Sequence, residues 1–189
     1  ILESMSKRIR KLNSELTTLK KNRDEMLGTF ANLKNTCNLI LKEIQSAIKT
    51  DNGSIMLLDE ETNKLQIIVA FGMHVDQKTE LGTGTGIAGD VLKTGKIELI
   101  NNISADDRFV PGHIKIKTML CAPLKIKRKI LGVINLSYSN ENYFNLDDLK
   151  LLRVLAIYAS IAIENARLFT TAEKLTDSFI SNVSLLDVY

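Results

Sequence analysis

Cysteine, histidine and glycine are the residues through which this sequence could do chemistry, and it holds few of them in useful company. Its two cysteines, Cys37 and Cys121, lie far apart, and its two histidines are His74 and His113. A haem or metal site needs such side chains with companion ligands. A nucleophilic site needs Cys or Ser within hydrogen-bond reach of a base. Only His113 and Cys121, eight residues apart, are spaced to meet. Gly84-Thr-Gly86-Ile-Ala-Gly89 has the letters of a dinucleotide-binding turn. That motif works between a buried strand and a parallel crossover. Here the polar Gln77-Lys78-Thr79-Glu80-Leu81 precedes it, and a short helix and a short strand follow. It reads as a flexible turn opening a helix at Ile87, with anion capture by free amides at the helix start as the alternative. No catalytic set and no metal set emerge, and no cofactor is identified.

Composition narrows the partners. The chain has 189 residues, 44% hydrophobic and 25% charged, with a net charge of +3. That excess is too small to argue for nucleic acid. Much of it sits in Lys7, Arg8, Arg10, Lys11, Lys20, Lys21 and Arg23, which read as the solvated face of a helix with no interleaved aromatic residue for base stacking. Two distant cysteines imply no disulfide framework and fit a reducing cytoplasm. No run approaches the roughly 18 apolar residues of a membrane span. The sequence starts at Ile1 and stops inside an amphipathic pattern, so it reads as a piece of something longer.

The elements that position these residues begin with a long helix to about residue 49. Leu2, Ile9, Leu16, Arg23, Phe30, Cys37 and Ile44 fall seven apart, and Met5, Leu12, Leu19, Met26, Leu33, Ile40 and Ala47 fill the interleaved steps. A 3.5-residue period makes a seam for a second helix, and Arg23 at a core position fixes register at some cost. Thr50-Asp51-Asn52-Gly53 ends the helix. Ser54–Leu58 and Leu65–Phe71 read as a hairpin across a polar turn at 59–63. Ile87–Lys93 is a short helix stopped by Thr94-Gly95, and Ile97–Ile100 a brief strand. The long connection from Asn101 to about Ile116, with Pro111-Gly112 inside it, has the length of a functional loop or lid. Strands Thr118–Ile126 and Ile130–Tyr138 follow. The last helix starts at an Asn145 cap with Asp147 and Asp148 in its first turn and a Phe144–Leu149 staple. It shows no stop before about Ser181.

In this order the segments Gly53-Ser-Ile-Met-Leu-Leu-Asp-Glu-Glu-Thr62, the glycine turn with its helix to Gly95, Ile103-Ser-Ala-Asp-Asp-Arg-Phe109, Met119-Leu-Cys-Ala-Pro-Leu124 and Ile130-Leu-Gly-Val-Ile-Asn-Leu136 are similar to a GAF domain. Phe144-Asn-Leu-Asp-Asp-Leu-Lys-Leu-Leu152, running into Ile161-Ala-Ile-Glu-Asn-Ala-Arg167, completes the set. The resemblance covers about residues 35–170. It implies an α+β fold with a central antiparallel sheet of about six strands. The first and last helices would lie on one face, and the short helix and long loop would cover a pocket on the other. The expected division is a coiled-coil signalling helix at 1–34, a GAF domain at 35–170 and a linker helix at 171–189 toward an output domain.

The resemblance further implies a cytoplasmic regulatory sensor that binds a small molecule of unknown identity and forms a homodimer through its N- and C-terminal helices. By position relative to lid and sheet, the candidate ligand-binding residues are Phe71, Ile87, Val91, Phe109, His113, Thr118, Cys121 and Asn135. Cyclic-nucleotide-binding members carry a dispersed Asn-Lys…Phe…Asp-Glu signature. Asn135, Phe144 and Asp147-Asp148 occupy comparable places, but Leu136 stands where the lysine would be. Free methionine sulfoxide reductases, a related enzyme branch, use several pocket cysteines, whereas only Cys121 is offered here. Bilin attachment wants a lid cysteine beside a histidine, which neither Cys37 nor Cys121 has. Two alternatives stand beside the sensor reading: a ligand-free dimerisation and transmission module, and a redox enzyme using Cys121.

Overall fold

The computed structural model describes residues 14, 18, 28, 31–72, 80–109, 116–141 and 143–186. The heptad seam up to and including Phe30, both histidines and Pro111-Gly112 lie outside the described residues. The chain forms two units, Lys34–Asn165 and a second made of Ile1–Leu33 with Ala166–Tyr189. The described backbone of the second unit is helical. Chain order is α1 (31–47), β1 (Asn52–Asp59), β2 (Lys64–Phe71), β3 (Glu80–Gly82), α2 (Gly86–Thr94), β4 (Glu98–Ile100), β5 (Thr118–Ile126), β6 (Lys129–Tyr138) and α3 (Leu146–Leu186).

The strands form one antiparallel sheet in the order β3-β2-β1-β6-β5-β4, so the first and last long strands meet at its centre. β1 and β6 are buried almost throughout because both of their faces are covered. Strand alternation sorts their side chains. Met56, Leu65, Cys121 and Val133 pack with Ile87, Val91 and Leu92 of α2 in one cluster, which defines the near face. Ile55, Leu57, Leu120, Ala122, Ile134 and Leu136 alternate with them and are buried on the far face. Among the described elements of this unit, α1 and α3 have apolar stripes left to cover that face. Cys37, Leu41, Ile44 and Ile48 are buried along α1, and Leu152, Ala156, Ala159 and Ile163 along α3. The α+β architecture with helices on both sides of the sheet is therefore as the sequence implies.

Local chemistry sets the element ends. Asp59 Oδ1 accepts the Glu61 and Thr62 amides at 2.9 and 3.2 Å, which folds the β1–β2 turn and lowers the carboxyl's pKa. α2 ends at Gly95, whose N–H donates to Val91 O at 2.9 Å. Asn145 Oδ1 accepts the amides of Asp147 and Asp148, while Asp148 Oδ2 accepts that of Asn145 at 2.9 Å, a reciprocal cap.

The heptad pattern needs one correction. Cys37 and Ile44 are buried inside their own chain, at 0% and 1% exposure. At that point the seven-residue spacing serves the domain's core, so Cys37 is not placed to meet a second copy. α3 behaves differently. Opposite its buried stripe, Leu151, Val154, Tyr158 and Ile161 are exposed in the first unit, and Leu168 and Leu175 in the second. No helix among the described residues is long and apolar enough to cross a membrane.

The centre of the sheet is packed to backbone contact. A Cβ built on Gly132 of β6 falls against Met56 O of β1, and the next atom, Leu57 Cα, is at 2.8 Å. Both obstacles are backbone and cannot rotate away. Gly132→Ala should therefore destabilise the domain by about 3 kcal/mol or more, read as the urea midpoint at constant m-value. A loss below about 1 kcal/mol would show that the two strands can part there.

Candidate functional site

The near face of the sheet carries a polar patch beside its apolar cluster. Cross-strand pairing sets Ser54, Asn135, Cys121 and Glu98 in one row across β1, β6, β5 and β4. The next row holds Asn52, Ser137, Met119 and Ile100. The row on the other side begins with Met56 and Val133, which belong to the α2 cluster. The polar side chains thus form a buried floor on β1 and β6, while Cys121 and Ile100 of the same rows belong to the α2 cluster.

That floor is incompletely satisfied. Asn135 Nδ2 donates to Ser54 Oγ at 3.3 Å and approaches Met56 Sδ at 3.4 Å. Among the described residues Asn135 Oδ1 and Ser137 Oγ have no hydrogen-bond partner, although the two residues are only 5% and 2% exposed. A buried polar atom left unpaired costs about 1–3 kcal/mol, so each is a place where a donor from elsewhere would bind favourably.

The eight residues singled out by position divide. Ile87, Val91 and Cys121 are in the near-face cluster, Phe109 packs against it, and Asn135 adjoins Cys121 across β5–β6. Phe71 is on the other side of the sheet. Its ring occupies the space over Gly53 beside Leu136, where a Gly53 Cβ would be. Thr118 also faces away, paired with Tyr138 and donating to Asn140 O at 3.1 Å. His113 lies outside the described residues. Position along the chain chose Phe71 and Thr118; strand parity removes them. Parity also adds Ser54 and Ser137, two residues along or directly across from Asn135, which an alternation count anchored on Asn135 could have found.

A charged clasp closes the β4 side. Arg108 donates from all of its N–H groups: Nε and Nη2 to Asp106, Nη1 and Nη2 to Glu98, and Nη1 to Asp90 Oδ2, at 2.7–3.1 Å. Three elements are tied by one planar fork, which suits arginine and not lysine. The clasp lies beside a cleft of about 660 Å³ that also includes Asn101 and Asp107. Its guanidinium supplies the positive charge that three converging carboxylates require. Among the described residues no group of three or more His, Cys, Asp or Glu is placed to hold a metal.

Cys121 is a poor nucleophile in this setting. Burial pushes its thiol pKa up, and the Glu98 charge adds to the effect, with Arg108 opposing. The glycine turn is also internally occupied. Gly84 N–H donates to Gly89 O and Thr85 N–H to Gly82 O, both at 3.0 Å, so those amides do not cradle a phosphate. A Cβ on Gly89 would lie 2.8 Å from Gly82 O, which shows that glycine is needed there for close packing of α2 on the turn.

Asp106 is held below its ordinary value of 3.8, chiefly by the Arg108 side-chain hydrogen bonds. A depressed carboxyl pKa adds stability that is present above the unfolded value and lost as pH falls through the folded one. Arg108→Ala should therefore cost about 1 kcal/mol at pH 7, after allowance for screening of a partly exposed guanidinium. The gap to wild type should narrow below about pH 4. Urea titrations at the two pH values check this; a pH-independent gap would mean that the clasp acts by packing and not by charge.

Comparison with known proteins agrees with the fold. The chain is 26% identical over 147 residues to a probable 3',5'-cyclic phosphodiesterase, pde-5, of Caenorhabditis elegans, covering 69% of this chain and 20% of that protein. It is 26% identical over 160 residues to the formate hydrogenlyase transcriptional activator FhlA of Escherichia coli, covering 78% of this chain and 23% of that one. The chain thus spans under a quarter of the length of these curated relatives. The solved GAF domain of a phosphoenolpyruvate-protein phosphotransferase from Coxiella burnetii superposes with a TM-score of 0.69 at 19% identity, covering 81% of this chain and 96% of that one. Residues 31–164 match the family described as GAF domain, and on that match the chain belongs to the GAF family, whose members serve as regulatory domains of signalling proteins.

Proposed function

We propose that this segment is the sensor part of a cytoplasmic signalling protein. A small molecule binds on the near face of the sheet, and its state passes through paired helices to an output domain. The division follows the sequence reading: a signalling helix at 1–34, the sensor domain at 35–170 and a linker helix at 171–189. The segment itself performs no catalysis in this reading, since the thiol of Cys121 is buried and held protonated. The matched relatives, a cyclic phosphodiesterase and a transcriptional activator by name, support a regulatory role.

The observation that carries ligand binding is the pair of unpartnered buried atoms, Asn135 Oδ1 and Ser137 Oγ. A closed, ligand-free core would leave them as a standing cost. The ligand contacts proposed from the sequence then reduce to Ile87, Val91, Phe109, Cys121 and Asn135, with His113 as a further candidate and Ser54 and Ser137 added. Removing one orphan tests the idea before any ligand is known. Ser137→Ala should leave the unliganded domain as stable as wild type, or more stable by up to about 1 kcal/mol. In a thermal-shift screen of nucleotides, small acids, amino acids and haem, the compound that raises the wild-type melting temperature should raise that of Ser137→Ala less. A clear loss of stability in Ser137→Ala without ligand would mean that the hydroxyl is already satisfied, and no shift from any compound would favour the ligand-free module.

Pairing is proposed through α3 and the N-terminal helix. Leu151 and Tyr158 are seven apart, as are Val154, Ile161, Leu168 and Leu175, and all are exposed. Asn165 continues the first series. That is a 3.5-residue seam with one polar core position, the pattern that favours a defined pair of helices. The wild-type segment should sediment as a dimer at high micromolar concentration, and Ile161→Glu with Leu168→Glu should sediment as a folded monomer. A monomeric wild type would end the transmission reading.

A further inference from the structure

A second concavity lies at the edge of the sheet, away from the polar floor. It is a groove of about 600 Å³ between β5, the segment after α2, and α3. Its floor is apolar, made of Ile97, Ala122, Pro123, Ala156 and Ile157. Its rim carries Lys96, Lys125, Lys127 and Arg153, and no carboxylate lines it. None of these four cations has an ion-pair partner among the described residues. Ile157 is 53% exposed although it stands one residue beyond the buried Ala156.

Elsewhere in the domain some surface cations are offset by nearby acids. Lys117 pairs with Glu141, Lys129 with Glu60 and Lys150 with Asp147. Others, among them Lys42, Lys49, Lys93 and Arg128, have no ion-pair partner among the described residues, but only the groove rim gathers four such cations around one apolar floor. The summed field favours an anion there, and the apolar floor favours a partner that brings buried hydrocarbon as well. Like-sign crowding of this kind is relieved when acidic groups enter.

The backbone decides the form of that partner. β4 pairs only with Met119–Cys121, and beyond Cys121 the segment after α2 lines the groove with β5 without ladder pairing. Pro123 stands in that stretch of β5, paired with Val133 on the other side. Proline has no N–H to offer, so a strand added there would lose a ladder bond, a common guard against edge pairing. The occupant is therefore held by side chains. A lipid surface is flat and does not enter a groove, and no aromatic side chain lines this one for nucleobase stacking.

We propose that this groove docks an acidic amphipathic helix of a partner protein. Apolar side chains of the helix rest on Ile97, Pro123 and Ile157, and its carboxylates meet Lys96, Lys125, Lys127 and Arg153. The site is separate from the polar floor and stands whether or not that floor binds a ligand.

The test is a display selection of random helical peptides on the wild-type segment. The double variant Lys127→Glu, Arg153→Glu serves for counter-selection. Both residues are exposed, and the variant's melting temperature and sedimentation establish that it is folded. The enriched peptides should combine Asp or Glu with apolar anchors and should shift the amide resonances of Ile97, Ala122 and Ile157. Their Kd should rise about tenfold in the double variant and also rise with salt. Enrichment of basic or uncharged sequences would overturn the proposal, as would equal binding to both proteins or shifts confined to other surfaces. So would cation-dependent binding to phosphatidylserine–phosphatidylcholine vesicles without any peptide binding, or a self-association lost in the double variant.

Discussion

Pairing of β1 with β6 is the constraint on which the other features rest. These strands are joined by no local turn; about eighty residues separate Ser54 from its partner Asn135. Side chains in a strand alternate, so a slip of one residue would exchange the two faces completely. Met56 and Val133 would turn toward α1 and α3, and Ile55 and Ile134 toward α2. Gly132 helps to fix the register because any side chain at that position would strike the Met56 carbonyl. Once the register is set, the polar row of Ser54 and Asn135 can only face α2.

The clasp around Arg108 belongs to the same logic at the sheet's edge. β4 has three residues and could not hold the α2 side of the domain through backbone bonds alone. A single guanidinium instead joins α2 through Asp90, β4 through Glu98 and the following loop through Asp106. Its side chain is 37% exposed, so the individual pairs are screened and modest. The shared geometry is what distinguishes them, because one planar group satisfies three carboxylates that would otherwise repel each other. Glu98 is also the neighbour of Cys121 across β4–β5, so the charge that anchors the edge helps to keep that thiol protonated.

Much of the fold was legible because its signals are local. The Asp59 turn, the Gly95 stop, the Asn145 cap and the strand runs each depend on a few consecutive residues, and each stands close to where the sequence places it. The site was less legible because it depends on facing. Phe71 and Thr118 are near the right ends of the right strands, but one step out of phase. Ser137 looked like an ordinary strand residue, since an unpaired hydroxyl leaves no mark in sequence. Cys37 and Ile44 kept a seven-residue spacing that a partner helix or a sheet face can equally satisfy, and only their burial separates the two. Arg108 sat inside a family segment, but its three acids come from positions up to 18 residues away, a distance that pattern reading does not bridge.

The alternation that misled the choice of site residues is also what makes the proposed signal physically reasonable. Asn135 and Ser137 present their side chains to the near face, while Ile134 and Leu136, the intervening residues of the same strand, are buried on the far face with α1 and α3. A ligand that satisfies Asn135 Oδ1 changes the forces on β6 directly. Any movement of that strand is felt on the other face within one residue, because a close-packed interior has no free volume to absorb it. The helices on that side are the same ones whose spacing suggests pairing. The route from floor to helix therefore needs no chain of remote contacts; the thickness of one β-strand separates the two.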